Sequence, residues 1–123
     1  MNAISRIAGG ILLASCTTLA MAAGNPLSVH VLNLEDGLPS SDVHVTLERL
    51  QGQSWQPLSE GVTNEQGRIT ELFPQGQTLQ DGTYKVTFKT GDWFAQHEAK
   101  TFFPEVPVIF AVDASVEHYH IPL

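Results

Sequence analysis

The residues of this 123-residue chain that could do chemistry are three histidines and one arginine, spread over distant segments. His118 and His120 lie two apart in Glu117 to Leu123 (EHYHIPL), so in a strand both rings share a face. His30 sits in Leu27 to Leu34 (LSVHVLNL), opposite the face that carries Val29 and Val31. Arg68 follows Gly67 where a turn leads into another short strand. Imidazole takes and gives protons near neutrality, since its unperturbed pKa is about 6.5. Guanidinium keeps its charge and presents a fixed fork of donors to carbonyl or oxyanion oxygens. Each residue also has a plainer reading, because a strand histidine facing away from the core and an arginine in a turn are most often solvated. The His-x-His spacing suits zinc as well, with His30 or His44 and a carboxylate to complete a tetrahedral set. No Ser-His-Asp motif suggests a covalent nucleophile, so direct attack by water is the simpler chemistry. His44 and His97 have no motif around them and read as exposed.

The elements that must hold these groups are mostly strands. Val43, Val45 and Leu47 alternate with His44, Thr46 and Glu48, and Tyr84, Val86 and Phe88 share one face of Thr83 to Thr90. Trp55 to Val62 is a weaker strand interrupted by Pro57, which suits a sheet edge. Arg68 to Phe73, Val108 to Val112 and Glu117 to Leu123 complete the strand pattern. Asp92 is placed to cap a short helix over Trp93 to Ala99, on which Trp93 and Phe94 pack. Gly37 can take the positive φ of a turn, Asn33 can orient His30 or bond the backbone, and Phe102-Phe103-Pro104 reads as a core anchor. About seven short strands, one short helix and closely spaced turns predict an all-β sandwich.

Composition sets the partners. Six Lys+Arg against 13 Asp+Glu give a net charge of −7, which argues against nucleic acid, since phosphate binding needs a basic face. Residues 1–22 read as a signal peptide: Arg6 is the positive start, Ile7 to Ser15 the apolar run, and Ala20-Met21-Ala22 the cleavage pattern. The mature domain then spans residues 23–123 in the periplasm and holds no cysteine, since Cys16 is the only one. In the competing reading Leu13-Ala14-Ser15-Cys16 is a lipobox, and Cys16 anchors the protein to the membrane.

In this order, Leu27-Ser28-Val29-His30-Val31-Leu32-Asn33, Gly37-x-Pro39, Thr63-x-x-x-Gly67-Arg68, Tyr84-x-Val86-x-Phe88, Phe103-Pro104-Glu105 and His118-Tyr119-His120-x-Pro122-Leu123 resemble the transthyretin-like 5-hydroxyisourate hydrolases. The resemblance implies a transthyretin-like β-sandwich assembled as a homotetramer, with active sites in a channel where two dimers meet. It implies hydrolysis of 5-hydroxyisourate to 2-oxo-4-hydroxy-4-carboxy-5-ureidoimidazoline in urate degradation, with no cofactor and no metal. His30, Arg68 and His120 fall at the family's catalytic positions, and His30, Arg68 and His118 at substrate-binding ones. The hormone carrier transthyretin shares that fold and lacks the histidines and the arginine. The family's chains run on through a further strand to a closing Tyr-Arg-Gly-Ser. This chain stops at Leu123, so the expectation is an incomplete site, a last strand missing and poor assembly. Two other functions compete: a small-molecule binding module without turnover, and a generic β-sandwich domain.

Overall fold

The computed structural model describes residues 9–15 and 24–123. The predicted cleavage pattern Ala20-Met21-Ala22 and Cys16 lie outside the described residues.

Alternating apolar residues build two facing sheets. Strands β1 (Leu27–His30), β6 (Arg68–Ile69) and β9 (Tyr119–Pro122) form one sheet in the order β6-β1-β9, with β1 antiparallel to β6 and parallel to β9. Strands β4 (His44–Gln51), β5 (Ser54–Val62), β7 (Gly82–Phe88) and β8 (Val106–Val112) form the other, in the order β5-β4-β7-β8. Two-residue strands β2 (Leu32–Asn33) and β3 (Leu38–Pro39) make a small hairpin, with Gly37 at its turn at φ 74°. Leu27 and Val29 from the first sheet meet Val45, Leu47, Tyr84, Val86 and Phe88 from the second in one buried cluster. Ile69, Tyr119 and Ile121 pack against it from β6 and β9. This is the predicted sandwich, closed by period-2 alternation on both layers.

Several elements differ in extent from the sequence reading. The run Leu27 to Leu34 breaks at Val31, whose amide bonds the Gly67 carbonyl and whose carbonyl takes the Ser40 amide, so it joins three segments rather than one ladder. The strand expected over Arg68 to Phe73 ends at Ile69. Beyond it, Phe73 is tied by its amide and carbonyl to the Asn25 side chain, which leaves Phe73 buried without a ladder. Pro57 does mark an edge: β5 is outermost, and its register with β4 shifts between Leu47 and Glu48.

Helix α1 spans Thr90–Gln96 and starts earlier than expected. Asp92 is therefore in its first turn and not its cap; Lys89 holds that position without a side-chain bond. The Lys89 amide still bonds the His44 carbonyl, so the chain turns helical as soon as that last ladder-like contact is made. Trp93 packs against the core and donates from its indole to the Ser41 carbonyl at 2.7 Å. The core-anchor reading of Phe102-Phe103-Pro104 is wrong: Phe102 is 98% and Phe103 64% exposed. The Pro104 carbonyl accepts the Gly91 amide and Glu105 pairs with Lys89, so this segment is strapped to α1 through backbone and charge while its rings turn outward.

Candidate active site

The alternation that buries Leu27 and Val29 leaves Ser28 and His30 on the outer face of the first sheet. On β9, Tyr119 and Ile121 turn inward and His120 outward, and on β6 Ile69 turns inward and Arg68 outward. Strand register then does the assembly. His30 stands opposite Arg68 across the antiparallel pair, and Ser28 stands beside His120 across the parallel pair. The His30 and His120 ring centroids are 6.4 Å apart, with their planes tilted by 38°. Three residues predicted from distant segments thus share one open surface, and His118 joins them just before β9.

Arg68 owes its place to the turn before it. The Asn64 carboxamide oxygen accepts the amides of Gln66 and Arg68, and the Asn64 amide donates to the Arg68 carbonyl. Gly67 takes φ 70° inside that turn, and a Cβ there would lie 2.5 Å from the Val31 carbonyl oxygen. Buried Thr63 clips the same turn to the neighbouring loop: its hydroxyl donates to the Ser40 carbonyl at 2.7 Å and accepts the Val43 amide at 3.0 Å. The Thr63-x-x-x-Gly67-Arg68 motif is therefore a device that presses a turn against β1 and sets Arg68 across from His30.

Tyr119 does the same for the histidine pair. Its hydroxyl accepts the Asp113 amide at 2.8 Å and donates to the Asp113 carbonyl at 3.1 Å, while its amide bonds the Pro26 carbonyl. His118 and His120 are fixed on either side of this anchor. His118 Nδ1 lies 2.9 Å from the Asn25 carbonyl oxygen and its Nε2 lies 2.9 Å from Ser28 Oγ. His120 Nδ1 lies 2.8 Å from the same Ser28 Oγ. Sequence reasoning passed over Ser28; its only signal was a hydroxyl two residues before His30, on the same face.

Desolvation by its neighbours holds the pKa of His120 below the ordinary histidine range, and the charge of Arg68 adds to this, followed by His118 and His30. A low pKa keeps the ring neutral near pH 7, the state a proton acceptor needs. Among the described residues no three of His, Cys, Asp or Glu converge as a metal site requires. The other histidines sit apart from the site. His44 is half-exposed and lies 3.2 Å from Glu60, and exposed His97 stacks on Trp93. Asn33 turns to the backbone, accepting the Glu35 amide.

Comparison with known proteins follows the same residues. The family model described as HIUase/Transthyretin matches residues 27–123, which takes in both sheets and every member of the site. The chain belongs to the HIUase/Transthyretin family. Within it, a 5-hydroxyisourate hydrolase of Salmonella dublin is 43% identical over 112 residues, covering 90% of this chain and 82% of that protein. A 5-hydroxyisourate hydrolase of Mus musculus is 34% identical over 101 residues, covering 80% and 85%. Among solved structures, the 5-hydroxyisourate hydrolase of Klebsiella pneumoniae superposes with a TM-score of 0.69 at 35% identity, over 80% of this chain and 86% of that one. Transthyretin from Sparus aurata superposes with a TM-score of 0.73 at 25% identity, over 79% and 84%. The HIUase/Transthyretin fold thus holds both 5-hydroxyisourate hydrolases and transthyretins, and the backbone alone does not separate them.

Proposed function

We propose that this protein hydrolyses 5-hydroxyisourate by direct attack of water, yielding 2-oxo-4-hydroxy-4-carboxy-5-ureidoimidazoline in urate degradation. The observation that carries this reading is the meeting of His30, Arg68 and His120 on one sheet face through two independent strand registers. Opening a cyclic ureide needs a proton acceptor for the water, a stabiliser for the developing oxyanion and a proton for the leaving nitrogen. His120, held neutral, suits the first task, Arg68 the second and His30 the third. His118 adds a second ring beside the face; with both of its nitrogens engaged, by the Asn25 carbonyl and Ser28 Oγ, it supports His120 rather than contacting substrate through them.

The face is open to solvent in a single chain, and electrostatic catalysis is strongest where water is excluded. A homotetramer that stacks such faces around a channel would supply that enclosure, and it belongs to this proposal. So does export to the periplasm, supported by Arg6, the apolar run from Ile7 and the Ala20-Met21-Ala22 pattern. Ultraviolet absorbance of freshly generated 5-hydroxyisourate tests the activity. Decay faster than the spontaneous rate is expected. Saturable binding without acceleration would return the chain to the binding-module reading.

A further inference from the structure

The hydrogen-bond partners of His118 and Ser28 decide which nitrogen of His120 holds the proton. The Asn25 carbonyl oxygen lies 2.9 Å from His118 Nδ1, so that nitrogen carries the hydrogen. In neutral His118 the other nitrogen, Nε2, is then bare, and it lies 2.9 Å from Ser28 Oγ. A serine hydroxyl has one proton to give, and this acceptor takes it. The second neighbour of the same oxygen, His120 Nδ1 at 2.8 Å, must therefore donate to it. That leaves Nε2 of neutral His120 as a bare lone pair.

We propose that Asn25, His118 and Ser28 form a directional hydrogen-bond chain that fixes His120 in its Nδ1–H tautomer and so makes Nε2 the proton acceptor of the site. Free neutral histidine prefers the opposite tautomer, with the hydrogen on Nε2. The chain therefore imposes the reactive form rather than merely permitting it. Ser28 and His118 act through His120 and are positioning residues. The parallel register that sets Ser28 beside His120 gives the chain its length: a single hydroxyl spans two rings separated from it by 90 and 92 positions in sequence. Other charged and titratable groups facing His120 are Arg68 and His30. Arg68 opposes protonation of the ring and does not decide between its two nitrogens.

Only the role of Nε2 as catalytic base rests on the hydrolase reading; the tautomer itself does not. Long-range proton–nitrogen correlation spectra of the 15N-labelled full chain, at about pH 8 where free imidazole is neutral, read the tautomer directly. The expected result is Nδ1–H in the unaltered protein, a shift towards Nε2–H in Ser28→Ala, and restoration in Ser28→Thr. His118→Ala frees the Ser28 hydroxyl to donate to His120 Nδ1 and gives the same shift, which keeps the test open if Ser28→Ala does not fold. Nε2–H in the unaltered protein, or an unchanged Nδ1–H in both variants, overturns the proposal. In the absorbance assay Ser28→Ala should lose roughly tenfold in kcat, less than the 10²–10⁴ that a positioned acid or base supplies because the base itself is kept, with little change in KM and recovery in Ser28→Thr. An unaltered protein that shows Nδ1–H and does not turn over 5-hydroxyisourate would sink the hydrolase reading and leave the hydrogen-bond chain standing.

Discussion

Replacing Gly67 with alanine tests the link between fold and site, because Gly37 supplies a matched control. Both glycines have a left-handed backbone, φ 70° at Gly67 and φ 74° at Gly37. A Cβ at Gly37 would meet nothing within 4 Å, whereas at Gly67 it would lie 2.5 Å from the Val31 carbonyl oxygen and 3.1 Å from the Ser40 amide nitrogen. The backbone penalty, about 1–2 kcal/mol, is common to both and is partly offset by about 0.4–1 kcal/mol from the stiffer unfolded chain. Gly37→Ala should therefore cost about 1 kcal/mol or less. At Gly67 the obstructing atoms are backbone and cannot rotate away. Relief must lengthen the bond from the Val31 amide to the Gly67 carbonyl, now 2.8 Å, and the bond from the Ser40 amide to the Val31 carbonyl, now 3.0 Å. At about 1 kcal/mol for each bond, Gly67→Ala should cost about 3 kcal/mol in total. Urea unfolding monitored by circular dichroism measures both losses, provided the m-values agree. The same shift moves Arg68 from its place opposite His30, so kcat should fall in Gly67→Ala and hold in Gly37→Ala. Equal stability losses for the two variants would show that Gly67 does not press on β1, and the account of how Arg68 is positioned would fail with it.

Arg68→Ala should lower turnover of 5-hydroxyisourate by ~10²-fold if the guanidinium stabilises an oxyanion; an unchanged rate refutes that role. Since the pKa of His120 is lowered and its neutral form is the proposed base, the acid limb of the kcat/KM–pH profile should lie on the acid side of an ordinary histidine's; an acid limb on the alkaline side contradicts the assignment. Arg68→Gln removes a charge that opposes protonation, so the NMR titration midpoint of His120 should move upward; a downward move contradicts the assigned cause. By linkage the unfolded chain binds a proton more readily at this residue, so its contribution favours the folded state above the ordinary histidine range and is lost as pH falls through the folded value. Thr63→Val leaves the buried Ser40 carbonyl and Val43 amide without their partner and should cost about 1–3 kcal/mol in urea unfolding; a loss under a few tenths would show that those groups find other partners.

Alternation made the sandwich legible, because Val29, Val45, Leu47, Val86 and Phe88 each sit where period 2 puts them. It could not show which strands become neighbours. The parallel pairing of β1 with β9 joins segments far apart in sequence, and nothing local in LSVH or YHIP encodes it. The histidines and Arg68 were singled out by motif, but their proximity depends on that pairing and on the Gly67 turn. Ser28 was passed over because a lone serine on a strand carries no spacing; it becomes visible only when two imidazoles are seen on its oxygen. The error over Phe102 and Phe103 has a similar source. Aromatic character suggests burial, but a loop held by the Pro104 carbonyl and by Glu105 has no need of its rings inside.

The pairs Val29 and His30, Ile69 and Arg68, Tyr119 and His120 show why one fold can hold both hydrolases and transthyretins. In each pair one residue turns inward to the shared core and its neighbour turns out to the site. Successive side chains on a strand face opposite ways, so the residues that stabilise the sandwich and those that do chemistry are neighbours in sequence yet separated by the thickness of a sheet. Exchanging His30, Arg68 or His120 for a residue without acid, base or charge would remove the chemistry proposed for them and leave the buried cluster untouched. Overall likeness of backbone therefore reports the inward set, and only the outward residues distinguish turnover from binding. In this chain the outward set comprises three imidazoles, a guanidinium and the hydroxyl between His118 and His120, a combination suited to moving protons and of little use for holding an apolar ligand.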